Sequence, residues 1–404
     1  VEKSYKRIYD PLHGFIGLTR LEAEILDTCV VQRLRRVRQL GPAEYVYPSA
    51  THTRLAHSLG TLYLAGRIAG KAGLEGEDVE AVRLSALLHD VGHMPFSHAV
   101  EPVPHEETGL EVIRLYLSEA LGEYSRRVAD ILLGMDDLSP IVSSEVDADR
   151  LDYLARDSYF TGLRYGMVDV EQIVDSMVLV EHGGRRVLAL PEDAMAAFES
   201  LLIGRYHMFL RLYCHRTVGG FEALLSRFYA VAVREGLVDD VENLLSGDRW
   251  CLFDDYAFVA AMREAAGGEG YLGELARMYL AREPPKMVLE VKAYLPGREG
   301  GRVVVDSVWS RLYRMWKNSS LLKFLEQEGV PVEWVFVHEP KISLVKGDTP
   351  VYIIDGSGGL RSFYEEDESI VSRLLGHVYA PLRIYARKGY EEVVSAALEK
   401  LRGA

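Results

Sequence analysis

The segment Leu87-Leu88-His89-Asp90-Val91-Gly92-His93 decides how this chain is read. It ends an apolar run with two adjacent ionisable side chains, whose burial is costly unless they are paired or bound to a metal. Six of the twelve histidines lie between His52 and His105, namely His52, His57, His89, His93, His98 and His105. An acidic cluster, Asp147, Asp149 and Asp152, follows. His57, the His89-Asp90 doublet and Asp149 offer imidazoles and carboxylates to one divalent cation. A lone histidine is more often a satisfied core or surface residue, and a lone His-Asp doublet is weak evidence. The cluster as a whole carries the reading of a metal-hydrolase site.

Composition sets the outer bounds. At 404 residues the chain is long enough for one large domain and a smaller one. It is 48% apolar and 26% charged, ordinary for a globular protein. It has no apolar run long enough for a membrane span. Val1-Glu2-Lys3-Ser4-Tyr5 has no apolar signal-peptide core, so a cytoplasmic location is expected. Cys29, Cys214 and Cys251 are far apart and odd in number, and read as reduced, buried thiols. The formal charge of −14 speaks against broad nucleic-acid binding. It leaves room for an anionic small substrate at a locally basic site. Four Gln and two Asn in the whole chain fit a heat-adapted source, with genomic base composition as the bland alternative.

Periodicity gives a mainly α-helical N-terminal part. A strand-like piece around Pro11 and Gly14 precedes a helix expected over Leu21–Leu40, in which Arg33, Arg35, Arg36 and Arg38 read as a solvated face. Further helices are expected at about Arg54–Ala72 and Asp78–His89, the latter stopped by Gly92 and Pro95. Others follow near 106–120, 123–134, 147–159, 169–177 and 191–230, with a hairpin at Glu181–Leu190 turning on Gly183-Gly184. Beyond residue 230, β-branched and aromatic alternation at Met287–Leu295, Val332–Val337, Lys341–Val345 and Val351–Ile354 predicts strands, with helices near 306–328 and 389–402. Pro296–Gly301 reads as a loop. The expected organisation is a helical core over 1–230 and a smaller C-terminal α/β lobe over 231–404, serving oligomerisation or regulation.

Several long motifs resemble one family. Asp10-Pro11-Leu12-His13-Gly14, Gln32-Arg33-Leu34-Arg35, Gln39-Leu40-Gly41, Thr53–Gly60, His89–His98, His105-Glu106, Asp147–Tyr153 and Arg156-Asp157 are similar to blocks of the HD-superfamily deoxynucleoside triphosphate triphosphohydrolases. The closest likeness is to the catalytic core of the sterile-alpha-motif-and-HD-domain dNTPase and its single-domain microbial relatives. It continues through Tyr213 and His215 and into Pro381–Lys388.

The resemblance implies His57, His89, Asp90 and Asp149 as ligands of one divalent metal: manganese, iron, zinc, nickel or magnesium. It implies Arg54, His93, His98, Arg150, Tyr153 and Arg205 around a triphosphate, and Gln39, Asp157 and Tyr213 near the sugar. His105, supported by Glu106, would move a proton. Arginines suit phosphate oxygens through paired hydrogen bonds, and a histidine titrating near neutrality suits a leaving oxygen. The bland alternatives are surface ion pairs for Arg54 and Arg150, and core packing for Tyr153 and Tyr213. Attack at the α-phosphorus comes from the resemblance alone. So does a homo-oligomer, tetrameric in the family pattern. Lys6, Asp27, Gln32 and Arg35 resemble an activating-nucleotide pocket. The pattern departs at Leu188-Ala189-Leu190-Pro191-Glu192, which lacks a relative's basic side chains, and at Phe209, where that relative has histidine.

Two other readings compete. An HD phosphodiesterase or phosphatase would keep the metal site and change the substrate. A nucleotide-sensing or nucleic-acid-binding scaffold would have lost catalysis, against which the complete ligand set and the acidic charge argue.

Overall fold

A computed structural model describes residues 4–296, 304–305, 307–340, 342–343, 351–363, 369, 371 and 377–403. The chain divides into two compact units. One comprises 1–208, 240–258 and 346–373, the other 209–239, 259–345 and 374–404. The segments of the two units alternate along the sequence. The fold is mainly helical with a smaller sheet-bearing C-terminal part, as expected.

In the first unit, the hairpin Lys6–Asp10 and Gly14–Leu18 precedes the helices. Thr19 caps the helix Arg20–Leu26 through a capping box with Glu22. The helix expected over Leu21–Leu40 stops there. The Thr28 hydroxyl donates to the Ile25 carbonyl, and the chain turns extended at Thr28 before restarting as Cys29–Arg33. A side chain that bonds its own backbone competes with the helix ladder.

The central helix, Arg54–Lys71, is capped by the Thr53 hydroxyl, which accepts from the Ala56 N–H. Leu55, Leu62, Ala65 and Ile68 bury its apolar face. It packs against both Glu77–Leu88 and Ala148–Thr161. Asp147 caps the latter by accepting from Arg150 N–H, and Gly162 ends it in the left-handed region at φ 74°.

The solvated arginine face is corrected by residues far away in sequence. Arg33 is fully buried, with its guanidinium 4.3 Å from the Trp250 ring centroid. It donates to the carbonyls of Phe253 (2.6 Å) and His93 (2.7 Å). Arg36 is ion-paired with Asp254. The expectation of three reduced thiols fails on the same contact. Cys29 and Cys251 form a disulfide with Cα atoms 5.5 Å apart across 222 residues, and Cys214 is a free buried thiol. Sequence distance hid this pair.

The segment around residues 250–255 also holds the loop after His89-Asp90. Trp250 Nε1 donates to the Val91 carbonyl, and Asp255 accepts the N–H groups of Phe96 and Arg38. Phe96 and Ser97 sit at φ 58° and 55°, a left-handed conformation costly for such residues. Gly92 is required by close approach: a Cβ there would lie 2.1 Å from the His105 carbonyl oxygen.

The expected hairpin forms as Val178–His182 and Arg185–Pro191. Tyr352–Ile354, expected in the C-terminal lobe, instead pairs parallel with Arg185–Pro191 inside the first unit. The helix expected over 191–230 is interrupted: Met195–Met208 gives way to a π-helical turn at Phe209–Tyr213, and Arg216–Arg234 follows in the second unit. That unit has an antiparallel sheet of Lys286–Val291, Leu382–Ala386 and Val335–His338. Trp309, Leu312, Leu321, Leu325, Val394 and Leu398 pack into its core. Residues 297–301 of the expected loop and most of Lys341–Val345 lie outside the described residues.

Candidate metal centre

Three helix ends and helix faces deliver the predicted ligands to one point. His57 comes from the first turn of Arg54–Lys71, His89 caps the C-terminus of Glu77–Leu88, and Asp149 lies in the first turn of Ala148–Thr161. His57 Nε2 lies 3.2 Å from His89 Nε2 and 3.0 Å from Asp149 Oδ1. His89 Nε2 is 3.7 Å from the same Asp149 oxygen and 3.3 Å from Asp90 Oδ1. Asp90 Oδ2 is 3.8 Å from His57 Nε2.

These spacings fit a shared ion. Ligands at about 2.1 Å from one cation stand about 3.0 Å apart in an octahedron and about 3.4 Å in a tetrahedron. Tautomers fit as well. His57 Nδ1 is 2.8 Å from Asp152 Oδ2, and His89 Nδ1 is 2.8 Å from the Ala86 carbonyl, so Nδ1–H donates in both rings. The two Nε2 lone pairs then face each other, an arrangement that favours a cation between them.

Electrostatics agree. Burial disfavours charge on Asp149, but the adjacent His57 and His89 hold its carboxyl well below the usual range. Burial likewise opposes charge on Asp90, and the nearby Arg54, His89 and His93 overcome it. On His57 burial acts downward, yet Asp149, Asp152 and Asp90 push the imidazole up to about 10. A place that draws a proton so strongly draws a metal ion in competition with it.

A second cluster adjoins the first. His93 is buried, with Nε2 3.2 Å from Asp90 Oδ1 and its ring stacked on His105 at 3.8 Å. Burial, then Arg54 and His105, hold His93 well below the ordinary imidazole value, so it is neutral. Glu101 joins the other two histidines, reaching His105 Nδ1 at 2.6 Å and His98 Nδ1 at 2.9 Å. Sequence reasoning missed Glu101, although its spacing of three from His98 and four from His105 was a usable signal. Exposed Glu106, expected to support His105, reaches its Nδ1 only at 3.3 Å. Glu101 is the nearer partner.

The remaining predicted residues have mixed placements. Arg54 is buried, and donates to Asp90 Oδ2 at 2.8 Å and Ser97 Oγ at 2.9 Å. It therefore braces a ligand position. Gln39 is nearly buried, and its backbone carbonyl accepts from Arg54. Arg150 is paired with Asp147, and Arg205 lies 3.4 Å from Glu145. The Tyr153 ring stands edge-on to His57 at 6.4 Å. Asp157 is buried against His52 Nε2 at 2.8 Å, a partnership not foreseen. Tyr213 belongs to the second unit. Lys6 pairs with Asp27 at 2.9 Å, and Arg35 donates to Gln32, which donates to the Leu26 carbonyl beside Asp27.

The HD domain model matches residues 54–157, and a model of an HD associated region matches 168–293. MJ1154, an uncharacterized protein of Methanocaldococcus jannaschii, is 39% identical over 274 residues, 67% of this chain and 57% of its own length. The deoxynucleoside triphosphate triphosphohydrolase SAMHD1 homolog of Dictyostelium discoideum is 26% identical over 261 residues, 57% of this chain and 50% of its own. The chain thus spans about half the length of these relatives. A crystal structure of a hypothetical protein from Aquifex aeolicus matches with a TM-score of 0.74 and 27% identity, covering 97% of this chain and 99% of that one. No described helix is long and apolar enough to cross a membrane. With its doublet, its convergent ligands and both models matched in order, the chain belongs to the HD-domain family, carrying an HD domain followed by an HD associated region.

Proposed function

We propose that this chain is a metal-dependent deoxynucleoside triphosphate triphosphohydrolase, turning a dNTP and water into deoxynucleoside and triphosphate. The observation that supports it most is the convergence of His57, His89, Asp90 and Asp149 donors within 3.0–3.8 Å. The name of the Dictyostelium relative supports the substrate class. A divalent ion held by these four residues would polarise a phosphoryl oxygen and acidify a bound water. The donor set suits manganese, iron, zinc, nickel or magnesium.

The chain's own residues account for the rest. The bond from the α-phosphorus to the 5′ oxygen breaks as the water oxygen bonds to that phosphorus; the water gives up a proton to solvent and the departing oxygen takes one. Glu101 occupies Nδ1 of both His98 and His105, leaving Nε2 of each as the atom that holds or hands over the proton. Arg150, Arg205, His93 and Tyr153 are the proposed triphosphate contacts, with Arg54 acting there mainly by fixing Asp90. Gln39 and Asp157 are the proposed sugar contacts. Lys6, Asp27, Gln32 and Arg35 remain a candidate activator site, and the C-terminal lobe a candidate assembly surface.

The test is product analysis. The protein is incubated with each dNTP and rNTP and with manganese or magnesium, and nucleosides and phosphates are separated. Deoxynucleoside with intact triphosphate is the expected result. Monophosphate or orthophosphate as first product would overturn the assigned reaction while leaving the metal site standing.

A further inference from the structure

The geometry points to Asp152 as the residue that makes His57 a metal ligand, and to His13 and Asp10 of the N-terminal hairpin as parts of the same device. This rests on the metal-centre reading of His57. Asp152 is fully buried and is approached by four donors. Arg156 Nε reaches Oδ2 at 2.8 Å, and Arg156 Nη2 reaches Oδ1 at 2.9 Å. A guanidinium only donates, so Arg156 takes one acceptor site on each oxygen. The sites left are filled by His57 Nδ1 on Oδ2, at 2.8 Å, and His13 Nε2 on Oδ1, at 2.6 Å. Both imidazoles therefore carry their proton on the nitrogen facing Asp152, and His57 Nε2 is left as the lone pair aimed at His89 and Asp149.

The network continues outward. Arg156 Nη1 donates to Asp10 Oδ2 at 2.9 Å, while Asp10 Oδ1 accepts the N–H groups of Leu12 at 2.9 Å and His13 at 3.1 Å. Asp10 thus shapes the turn that presents His13, whose ring also stacks on Tyr63 at 5.0 Å. The helix carrying His57 gives way to this arrangement. A Cβ on Gly60 would sit 1.9 Å from Asp152 Oδ1 and 2.5 Å from Arg156 Nη2. The HD match begins at residue 54, so a hairpin outside it orients one of its ligands.

Asparagine at 152 cannot accept all four donors, because its amide nitrogen must face some of them. His57 then loses its fixed tautomer. Asp152→Asn should weaken manganese binding by roughly 10–100-fold, the usual cost of losing such a partner. His13→Ala should weaken it in the same direction by a smaller factor. His13→Gln, whose amide can donate in place of Nε2–H, should recover most of that loss.

The measurement is competition for manganese against a chelating indicator on the full chain, with thermal melting recorded in parallel. Glu22→Gln serves as the structural control, since it cuts a buried ion pair with Arg83 at 2.5 Å in the same unit without touching a ligand's partner. It should lower the melting temperature and leave metal affinity unchanged. Wild-type affinity in Asp152→Asn would overturn the inference. So would a Glu22→Gln variant that weakens metal equally at equal loss of melting temperature. If His13→Ala weakens binding and His13→Gln restores nothing, ring packing on Tyr63 is responsible and the hydrogen-bond account fails. No metal on the wild type would overturn this inference and the metal centre together, whereas a metal-binding wild type matched by Asp152→Asn sinks the inference alone.

Discussion

Replacing Gly60 by alanine sets two opposed effects against each other, and the structure decides the sign. In a helix interior, alanine is better than glycine by about 1 kcal/mol. Gly70, exposed in the last turn of the same helix, has nothing within 4 Å of its would-be Cβ. Gly70→Ala should therefore gain up to about 1 kcal/mol. At Gly60 the same methyl meets Asp152 Oδ1 at 1.9 Å, too close for any real contact. Asp152 cannot move aside cheaply, because Arg156, His13 and His57 all hold it. Disrupting a buried ion pair costs about 3–5 kcal/mol. Subtracting the propensity gain leaves Gly60→Ala less stable by about 2–4 kcal/mol. Denaturant unfolding of both variants, followed by circular dichroism, separates the cases. A stabilised Gly60→Ala protein that behaves like Gly70→Ala would refute the close packing of Asp152 against the central helix.

Other predictions concern the site and its supports. His89→Ala should abolish dNTP turnover with the far-ultraviolet circular dichroism spectrum intact, and a fully active variant would remove His89 from the site. Asp90→Ala strips buried Arg54 of its carboxylate and should in addition cost about 3–5 kcal/mol, read as a lower denaturant midpoint than that of His89→Ala. The Cys29–Cys251 bond closes 222 residues, for which loop-closure entropy gives an upper figure of about 5 kcal/mol. Cys251→Ser should melt lower than wild type, and reductant should shift only the wild type; equal melting temperatures would exclude a stabilising bond. Burial pushes the Asp255 carboxyl up to about 6, above its ordinary 3.8. Stability from its neutral form is therefore complete below about pH 4 and lost as pH rises through 6, about 3 kcal/mol over that window. The stability difference between wild type and Asp255→Asn should shift by that amount across the window, and a difference flat with pH would contradict the buried, neutral form.

Helices whose signals are local were legible in the sequence. Periodicity placed a helix at about Arg54–Ala72, within a residue of the observed Arg54–Lys71, and Gly92 with Pro95 marked the loop after the doublet. The cluster of His57, His89 and Asp149 was legible for a related reason, since these residue types are unusual together along so short a span. Long-range pairing was not. Nothing near Arg33 announces that Trp250 will cover it, or that Cys251 will reach Cys29. Likewise nothing near Tyr352 indicates a parallel partner at Ala189. The pairing of Asp157 with buried His52 was equally out of reach, because the two lie 105 residues apart. The helix break at Thr28 was within reach of local reasoning, through a hydroxyl able to bond the preceding turn.

Turnover of a dNTP in water enriched in oxygen-18, with products resolved by mass spectrometry, distinguishes attack at the α-phosphorus from attack at the β or γ position. The metal-centre account predicts the label in triphosphate and an unlabelled deoxynucleoside, with no turnover in His89→Ala. Label in orthophosphate or pyrophosphate, or turnover undiminished in His89→Ala, would contradict it.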